Sequence, residues 1–354
     1  MQYQQLGRVG LFVSRIAFGT STFGGAEHPL YKVVGGLGQR EADRIVGVAL
    51  DAGINLFDTA DIYAEGESET MLGRALGSRR NDVLIATKAG NRSGGGPNEV
   101  GHSRVHLMAA IESSLRRLGT DHIDLLQLHA FDPLTPFDDV MRTLDDAVRA
   151  GKVRYLGCSN FHAWQVMKAQ AAAVALGCEP FAAVQAYYSV VGRDIEREIV
   201  PAILDQGLGL LTWCPLAGGL LTGKFTRSRR PSDQSRRLRF DFPPVAMEHA
   251  YAIVDVLERV AARRDATVAQ VSLAWQLYQP GVTAAVVGAR SAEQLAENVR
   301  ATELALSPDD LSEIDGASRL VPEYPRWYQD LPLGRRPGEG RGLGRSVASE
   351  RDDN

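Results

Sequence analysis

Short, almost continuously apolar runs recur along the chain: RIAFG from Arg15, NLFD from Asn55, VLIATK from Val83, IDLLQLH from Ile123, VRYLGCS from Val153, AAVQA from Ala182, LGLLTW from Leu208 and TAAVVG from Thr283. Runs of this length without internal alternation predict strands buried on both faces of a parallel sheet. Between them the apolar positions take a helical period. Leu107, Met108, Ile111, Leu115 and Leu118 follow the candidate N-cap Ser103, and Phe137, Val140, Met141, Leu144 and Val148 lead to Gly151. Eight strand-helix units in one chain predict an α/β fold, a (β/α)8 TIM barrel. The rival, a doubly wound sheet, needs G-x-G-x-x-G in its first strand-helix turn, and the chain reads GTSTFGG there.

Three segments lie outside the eightfold pattern. QYQQLGRVGLFVS, at the start, predicts two short strands around Gly7 to Gly10, an N-terminal β-hairpin that plugs the bottom of the barrel. TRSRRPSDQSRRLRFDF, between the seventh and eighth strands, holds six arginines and reads either as a solvated loop or as a cover over an anionic cofactor. Beyond Leu331 the chain is rich in Gly and Arg and poor in apolar residues. The expected division is therefore a barrel over residues 1–331 and a disordered C-terminal tail over 332–354.

Composition narrows the partners. In 354 residues, 44% hydrophobic and 23% charged is an ordinary globular balance, and a net charge of -4 offers no basic stripe for nucleic acid. The first residues lack a basic segment followed by an apolar one, and no apolar run approaches the roughly 18 residues that span a bilayer. Three cysteines, Cys158, Cys178 and Cys214, show no C-x-x-C spacing, which suits a reducing interior. A soluble, cytoplasmic protein acting on a small molecule is expected, with neither nucleic acid nor membrane as partner and with its oligomeric state open.

In such a barrel the chemistry gathers at the C-terminal ends of the strands. The polar residues closing the apolar runs are Asp58 with Tyr63 in the loop that follows, Lys88, His129, the pair Ser159 and Asn160, Gln185 and Trp213. A strand end can be polar merely because it meets water, but a carboxylate, a phenol, an ammonium and an imidazole on one rim make a proton-transfer set. A phenol with an ordinary pKa of about 10 is a poor acid, yet an ammonium about 4 Å away favours the phenolate by roughly 4 kcal/mol at an effective dielectric of about 20, with desolvation opposing. Asp58 can hold Lys88 protonated, and a neutral His129 can donate to a carbonyl. There is no nucleophile elbow and no dense metal-ligand spacing. A hydride arriving from a cofactor would complete the set.

The stretch NLFDTADIYAEGESETMLGRAL, followed in order by LIATK, IDLLQLHAFDP, CSNF, VQAYYS, WCPLAGGLLTGKF and VVGARSAEQLAEN, closely resembles the aldo-keto reductases. The match runs from about Tyr3 to Tyr328 and is similar to the bacterial branch related to aryl-alcohol dehydrogenases and potassium-channel β subunits. The resemblance implies a barrel that reduces aldehydes or ketones with NAD(P)H, with Tyr63 as general acid, Lys88 lowering its pKa, Asp58 anchoring Lys88 and His129 orienting the carbonyl. It further implies that Ser159, Asn160 and Gln185 bind the nicotinamide carboxamide, that Trp213 replaces the usual stacking tyrosine, and that Gly19, Thr20 and Asp58 border the same end of the cofactor. Cys214, Pro215, Leu216 and Gly218 belong to the cofactor site on the same ground.

Gly218 to Phe225 fits G-x-x-x-x-G-K and then fails, because Phe225 stands where a P-loop needs Ser or Thr. That argues against an ATPase. The main chain from Leu216 to Gly223 can still cradle a pyrophosphate beside Lys224, or be a plain loop with an exposed lysine. Ser291 and Gln294 are spaced as a capping box. A helix N-terminus also suits an anion, and the resemblance gives Arg290 and Gln294 to an adenosine 2′-phosphate, Asn298 and more weakly Glu297 to the adenine, and Gly288 to close passage of the chain. The expected cofactor is NADPH/NADP. Phe23, Tyr31, Phe131, Phe161, Trp164, Trp327 and Tyr328 suggest an apolar pocket mouth. Two other functions stay open: an NADPH-binding regulatory subunit with little turnover, and a Schiff-base aldolase using Lys88, which a neighbouring carboxylate disfavours.

Overall fold

The computed structural model describes residues 1–228 and 235–331. The expected tail, 332–354, and part of the arginine-rich segment, 229–234, lie outside the described residues. All eight expected strands form, and the hairpin precedes them. The hairpin strands are β1 (Tyr3–Gln5) and β2 (Phe12–Ser14), and the barrel strands are β3 (Ile16–Gly19), β4 (Leu56–Asp58), β5 (Leu84–Ala89), β6 (Ile123–Leu128), β7 (Val153–Ser159), β8 (Phe181–Tyr187), β9 (Gly209–Trp213) and β10 (Val282–Val287). The barrel closes in the order β10-β3-β4-β5-β6-β7-β8-β9, every pairing parallel.

The helices form where the pattern places them. Ser103 accepts a hydrogen bond from His106 N and starts the helix Arg104–Leu118, whose Leu107, Ile111, Leu115 and Leu118 are buried. Phe137–Arg149 buries Phe137, Val140, Met141 and Leu144 against the barrel. Two larger apolar clusters lie between barrel and helices, and a third fills the bore with Ala17, Leu56, Ala86, Leu125, Ala183, Leu211 and Ala284.

The hairpin joins that third cluster through Leu6 and Val13, both fully buried. Gly209 makes this fit: a Cβ there would stand 2.4 Å from Leu6 Cδ1. The bottom of the barrel is thus closed by apolar packing, which leaves the opposite end for the site. Among the described residues no helix is long and apolar enough to cross a membrane.

Candidate active site

Register fixes which strand ends are neighbours. Gly19 pairs with Asp58, Lys88 with Gln127, Ser159 with Gln185 and Tyr187 with Trp213. Strand β8 continues two residues past Gln185, so Gln185 lies inside the strand and points into the bore rather than closing the run.

Lys88 is 1% exposed and its Nζ donates to Asp58 Oδ1 at 2.6 Å, to the Thr59 carbonyl at 2.8 Å and to Tyr63 Oη at 3.4 Å. The other carboxylate oxygen of Asp58 accepts from Gln185 Nε2 at 2.7 Å and Gln127 Nε2 at 3.3 Å. Burial is the largest influence on Lys88 and acts to lower its pKa, but Asp58 and Tyr63 outweigh it and the ammonium is stabilised. Burial also dominates at Tyr63 and outweighs the pull of Lys88, so the phenol sits above its ordinary range. This departs from the expected net lowering: the ammonium acts in that direction but does not prevail in the enclosed site. The His129 ring is 5.9 Å from the Tyr63 ring, edge to face, and burial aided by the Lys88 charge pushes its pKa down to about 3. The imidazole is therefore neutral at neutral pH.

Above these residues opens a cleft of about 960 Å³. Asp58, Tyr63 and His129 line it, as do Gly19, Ser159, Asn160, Gln185, Trp213, Cys214, Pro215, Leu216, Gly218, Lys224, Gly288, Arg290 and Gln294. Lys88 lies beneath the wall. Thr20 is buried behind it, its amide donating to the Asp58 carbonyl at 2.8 Å. Glu297 is exposed on the helix Ala292–Val299, and Asn298 is buried on that helix with Nδ2 unpartnered. Neither belongs to the cleft lining.

Several wall groups are tied to one another. Asn160, at φ +59°, donates from Nδ2 to the His129 carbonyl at 2.9 Å and accepts from Trp213 Nε1 at 3.0 Å. Ser159 Oγ is buried with no hydrogen-bond partner. The Ala217–Thr222 turn carries Gly218 at φ +67° and Gly219 at φ +96°, and a Cβ on Gly218 would meet the Phe242 carbonyl at 2.3 Å. Arg237 fastens the arginine-rich segment to this turn, donating to the carbonyls of Ala217 at 3.1 Å and Pro243 at 3.0 Å.

Arg290 donates through its guanidinium to the carbonyls of Val33 and Val34, at the end of the short helix Tyr31–Val34. Burial and the like charges of Arg236 and Arg239 depress its pKa. Ser291 accepts from Gln294 N, but Gln294 Oε1 reaches Arg290 N at 2.9 Å instead of Ser291 N, so the expected capping box is shifted by one residue.

The pattern of the sequence did not single out Gln127, Arg236, Phe240 or Phe242. Gln127 carried a signal, being the one amide in the apolar run IDLLQLH. Arg236 lines the cleft with a buried, unpartnered Nε, and nothing distinguishes it in sequence from the other arginines of its segment. Phe242 stacks on Trp213 with centroids 5.7 Å apart and planes 6° apart. Of the aromatics expected at the mouth, Tyr31 lines the cleft, Phe23 and Phe161 are buried in the core, and Trp327 and Tyr328 are exposed away from the cleft wall.

This donor set fits a nicotinamide dinucleotide. A buried hydroxyl without a partner, a flat indole face, a glycine turn and a cluster of arginines occur along one cleft of sufficient volume. The aldo/keto reductase family model matches residues 15–319. The chain belongs to the aldo/keto reductase family. The match embraces all eight barrel strands and the positions of Asp58, Tyr63, Lys88 and His129. Relatives of the family member include an uncharacterized oxidoreductase, YrpG, of Bacillus subtilis, 36% identical over 92% of this chain and 100% of the relative. A probable voltage-gated potassium channel subunit beta of Arabidopsis thaliana is 34% identical over 93% of this chain and 100% of its own. A versiconal hemiacetal acetate reductase of Aspergillus parasiticus is 32% identical over 89% and 96%.

Proposed function

We propose that the protein is an NADPH-dependent oxidoreductase that reduces aldehyde or ketone carbonyls to alcohols, with Tyr63 as the general acid. The observation that carries this reading is the connected series Gln185, Asp58, Lys88, Tyr63 under the cleft, with neutral His129 beside the phenol. NADPH, when bound, supplies the hydride to the carbonyl carbon. Tyr63 gives its proton to the alkoxide oxygen that develops, and the Lys88 ammonium stabilises the phenolate left behind. Asp58 keeps Lys88 protonated and fixed, and His129 orients the carbonyl oxygen. A Lys88 held in this way as an ammonium does not favour a Schiff base.

Ser159, with its free hydroxyl, is suited to the nicotinamide carboxamide, together with Gln185 and Asn160. Trp213 offers the ring a stacking face, and the Ala217–Thr222 turn with Lys224 suits the pyrophosphate. Arg290 and Arg236 supply the charge for a 2′-phosphate, since like-charged groups gathered at one site are relieved by an anion. Three free thiols, Cys158, Cys178 and Cys214, support a reducing, cytoplasmic setting.

Tyr63→Phe tests the reading. Turnover should fall by about 10²–10⁴, the usual worth of a positioned proton donor, while NADPH affinity stays within a factor of about two. Turnover close to wild type would remove Tyr63 from the mechanism. The likeness to the Arabidopsis channel subunit favours one other reading, a nucleotide-sensing regulatory protein. A protein that binds NADPH yet reduces none of a broad panel of aldehydes, ketones and dicarbonyls would support that reading.

A further inference from the structure

The loop that carries Tyr63 also carries a second acid. Asp61 is 4% exposed, and neither oxygen of its carboxyl has a hydrogen-bond partner. The Ile62 amide lies near it without making a bond of ordinary geometry. Its own amide donates to the Lys88 carbonyl at 3.1 Å, so the carboxyl is attached to the main chain that carries the ammonium.

Charged and titratable groups face it from four elements: Glu69 on the helix Glu67–Leu76, Arg117 on the helix Arg104–Leu118, Lys88 on β5 and Tyr31 on the helix Tyr31–Val34. The cations among them already have carboxylates. Arg117 Nε is held by Glu69 Oε2 at 2.7 Å, and Lys88 by Asp58 at 2.6 Å. Glu69 is fully buried and its other oxygen accepts from Thr87 Oγ1 at 2.5 Å. Asp61 is thus a third carboxyl beside two matched ion pairs. Burying a lone carboxylate costs far more than burying a neutral carboxyl. Burial, with the Glu69 charge added, pushes its pKa up to about 7 against the weaker pull of Arg117 and Lys88.

We propose that Asp61 is a positioning residue that holds a proton behind the Tyr63 and Lys88 pair and, on releasing it to solvent, weakens Tyr63 as a proton donor. With Asp61 neutral, the ammonium acts on the phenol undiminished. With Asp61 ionised, an additional negative charge opposes loss of a proton from Tyr63 and tightens the hold of Lys88 on its own. Carbonyl reduction therefore slows as pH rises through neutrality, a range in which neither His129 nor Tyr63 changes charge. The inference rests on the role proposed above for Tyr63.

The test is the pH profile of kcat for NADPH-dependent carbonyl reduction by the full-length wild type, Asp61→Asn and Asp61→Ala, beside carbon NMR of protein labelled at the aspartate carboxyl. Wild type should lose about threefold in kcat between pH 6 and 8, and both variants should stay level near its low-pH rate, the response of a proton donor weakened by about one decade. One aspartate carboxyl should titrate near neutrality and vanish from the spectra of both variants. Titration of that signal in the ordinary carboxylate range overturns the proposal, as do variant profiles that still follow wild type. Neither result touches the role of Tyr63, which the activity of Tyr63→Phe decides separately.

Discussion

Gln185 donates to Asp58 at 2.7 Å across the bore, from the strand diametrically opposite in the closed order. The carboxylate that grips Lys88 is therefore anchored from both sides of the barrel, and it cannot turn away from the ammonium without losing a second bond. This bridge governs what removal of Lys88 would do.

Lys88→Met should lower both stability and turnover. Breaking a buried pair by deleting one partner costs about 3–5 kcal/mol, and the low end is expected because Gln185 and Gln127 still solvate the carboxylate. The pH dependence has a definite sign. Without the ammonium Asp58 is left as a buried charge lacking a counter-ion, a cost that protonation relieves, so the variant's deficit should be smallest in acid and grow as pH rises. Urea unfolding at pH 4, 6 and 8 checks this, and a deficit independent of pH would mean that Asp58 keeps its charge at no cost.

Asp61 makes a separate contribution to stability. Its pKa is pushed up to about 7 in the folded chain against 3.8 for an ordinary aspartate, so the native state holds the proton over a range in which the unfolded chain releases it. The stability it contributes is complete below the unfolded value and is lost as pH rises through the folded one, up to about 4 kcal/mol as an upper bound. Paired carboxylates elsewhere push the other way, which makes the difference between wild type and Asp61→Asn the quantity to follow. That difference should turn against wild type between pH 4 and 7 and then level off. No change in it across this range would place the carboxyl in contact with water.

The barrel and most of the residues gathered at the cleft were legible because strand ends are marked by composition: an apolar run that stops at Asp58, Lys88 or Ser159 states both its extent and its direction. Partnership was not. That Gln127 and Gln185 converge on Asp58 depends on barrel closure, which brings together residues 69 and 127 positions away in sequence. The net direction of the Tyr63 pKa was equally hidden, since it depends on how far burial outweighs one ammonium. Phe242 on Trp213 depends on a segment whose arginines look alike in sequence, although Arg237 is buried in backbone carbonyls and Arg236 faces the cleft.

Arg290 should be the chief source of a preference for NADPH over NADH. A 2′-phosphate carries nearly two charges and three acceptor oxygens, which a guanidinium can meet with charge-assisted bonds. The pyrophosphate proposed for Lys224 and the Ala217–Thr222 turn is common to both cofactors, so contacts there would not discriminate. Arg290 stands at the start of the helix Ala292–Val299, with Arg236 and Arg239 near enough to depress its pKa. Its bonds to the Val33 and Val34 carbonyls pre-orient the side chain, lessening the entropy lost on binding. Arg290→Ala should raise the NADPH dissociation constant at least about tenfold, equivalent to about 1.4 kcal/mol, and leave NADH within a factor of about two, as read by quenching of tryptophan fluorescence. The same bonds hold the segment bearing Tyr31, which donates to the Ile62 carbonyl at 3.0 Å beside Tyr63, so KM for the carbonyl should rise modestly while kcat holds. Equal weakening for both cofactors would put Arg290 on the shared phosphates, and no weakening for either would transfer the 2′-phosphate to Arg236.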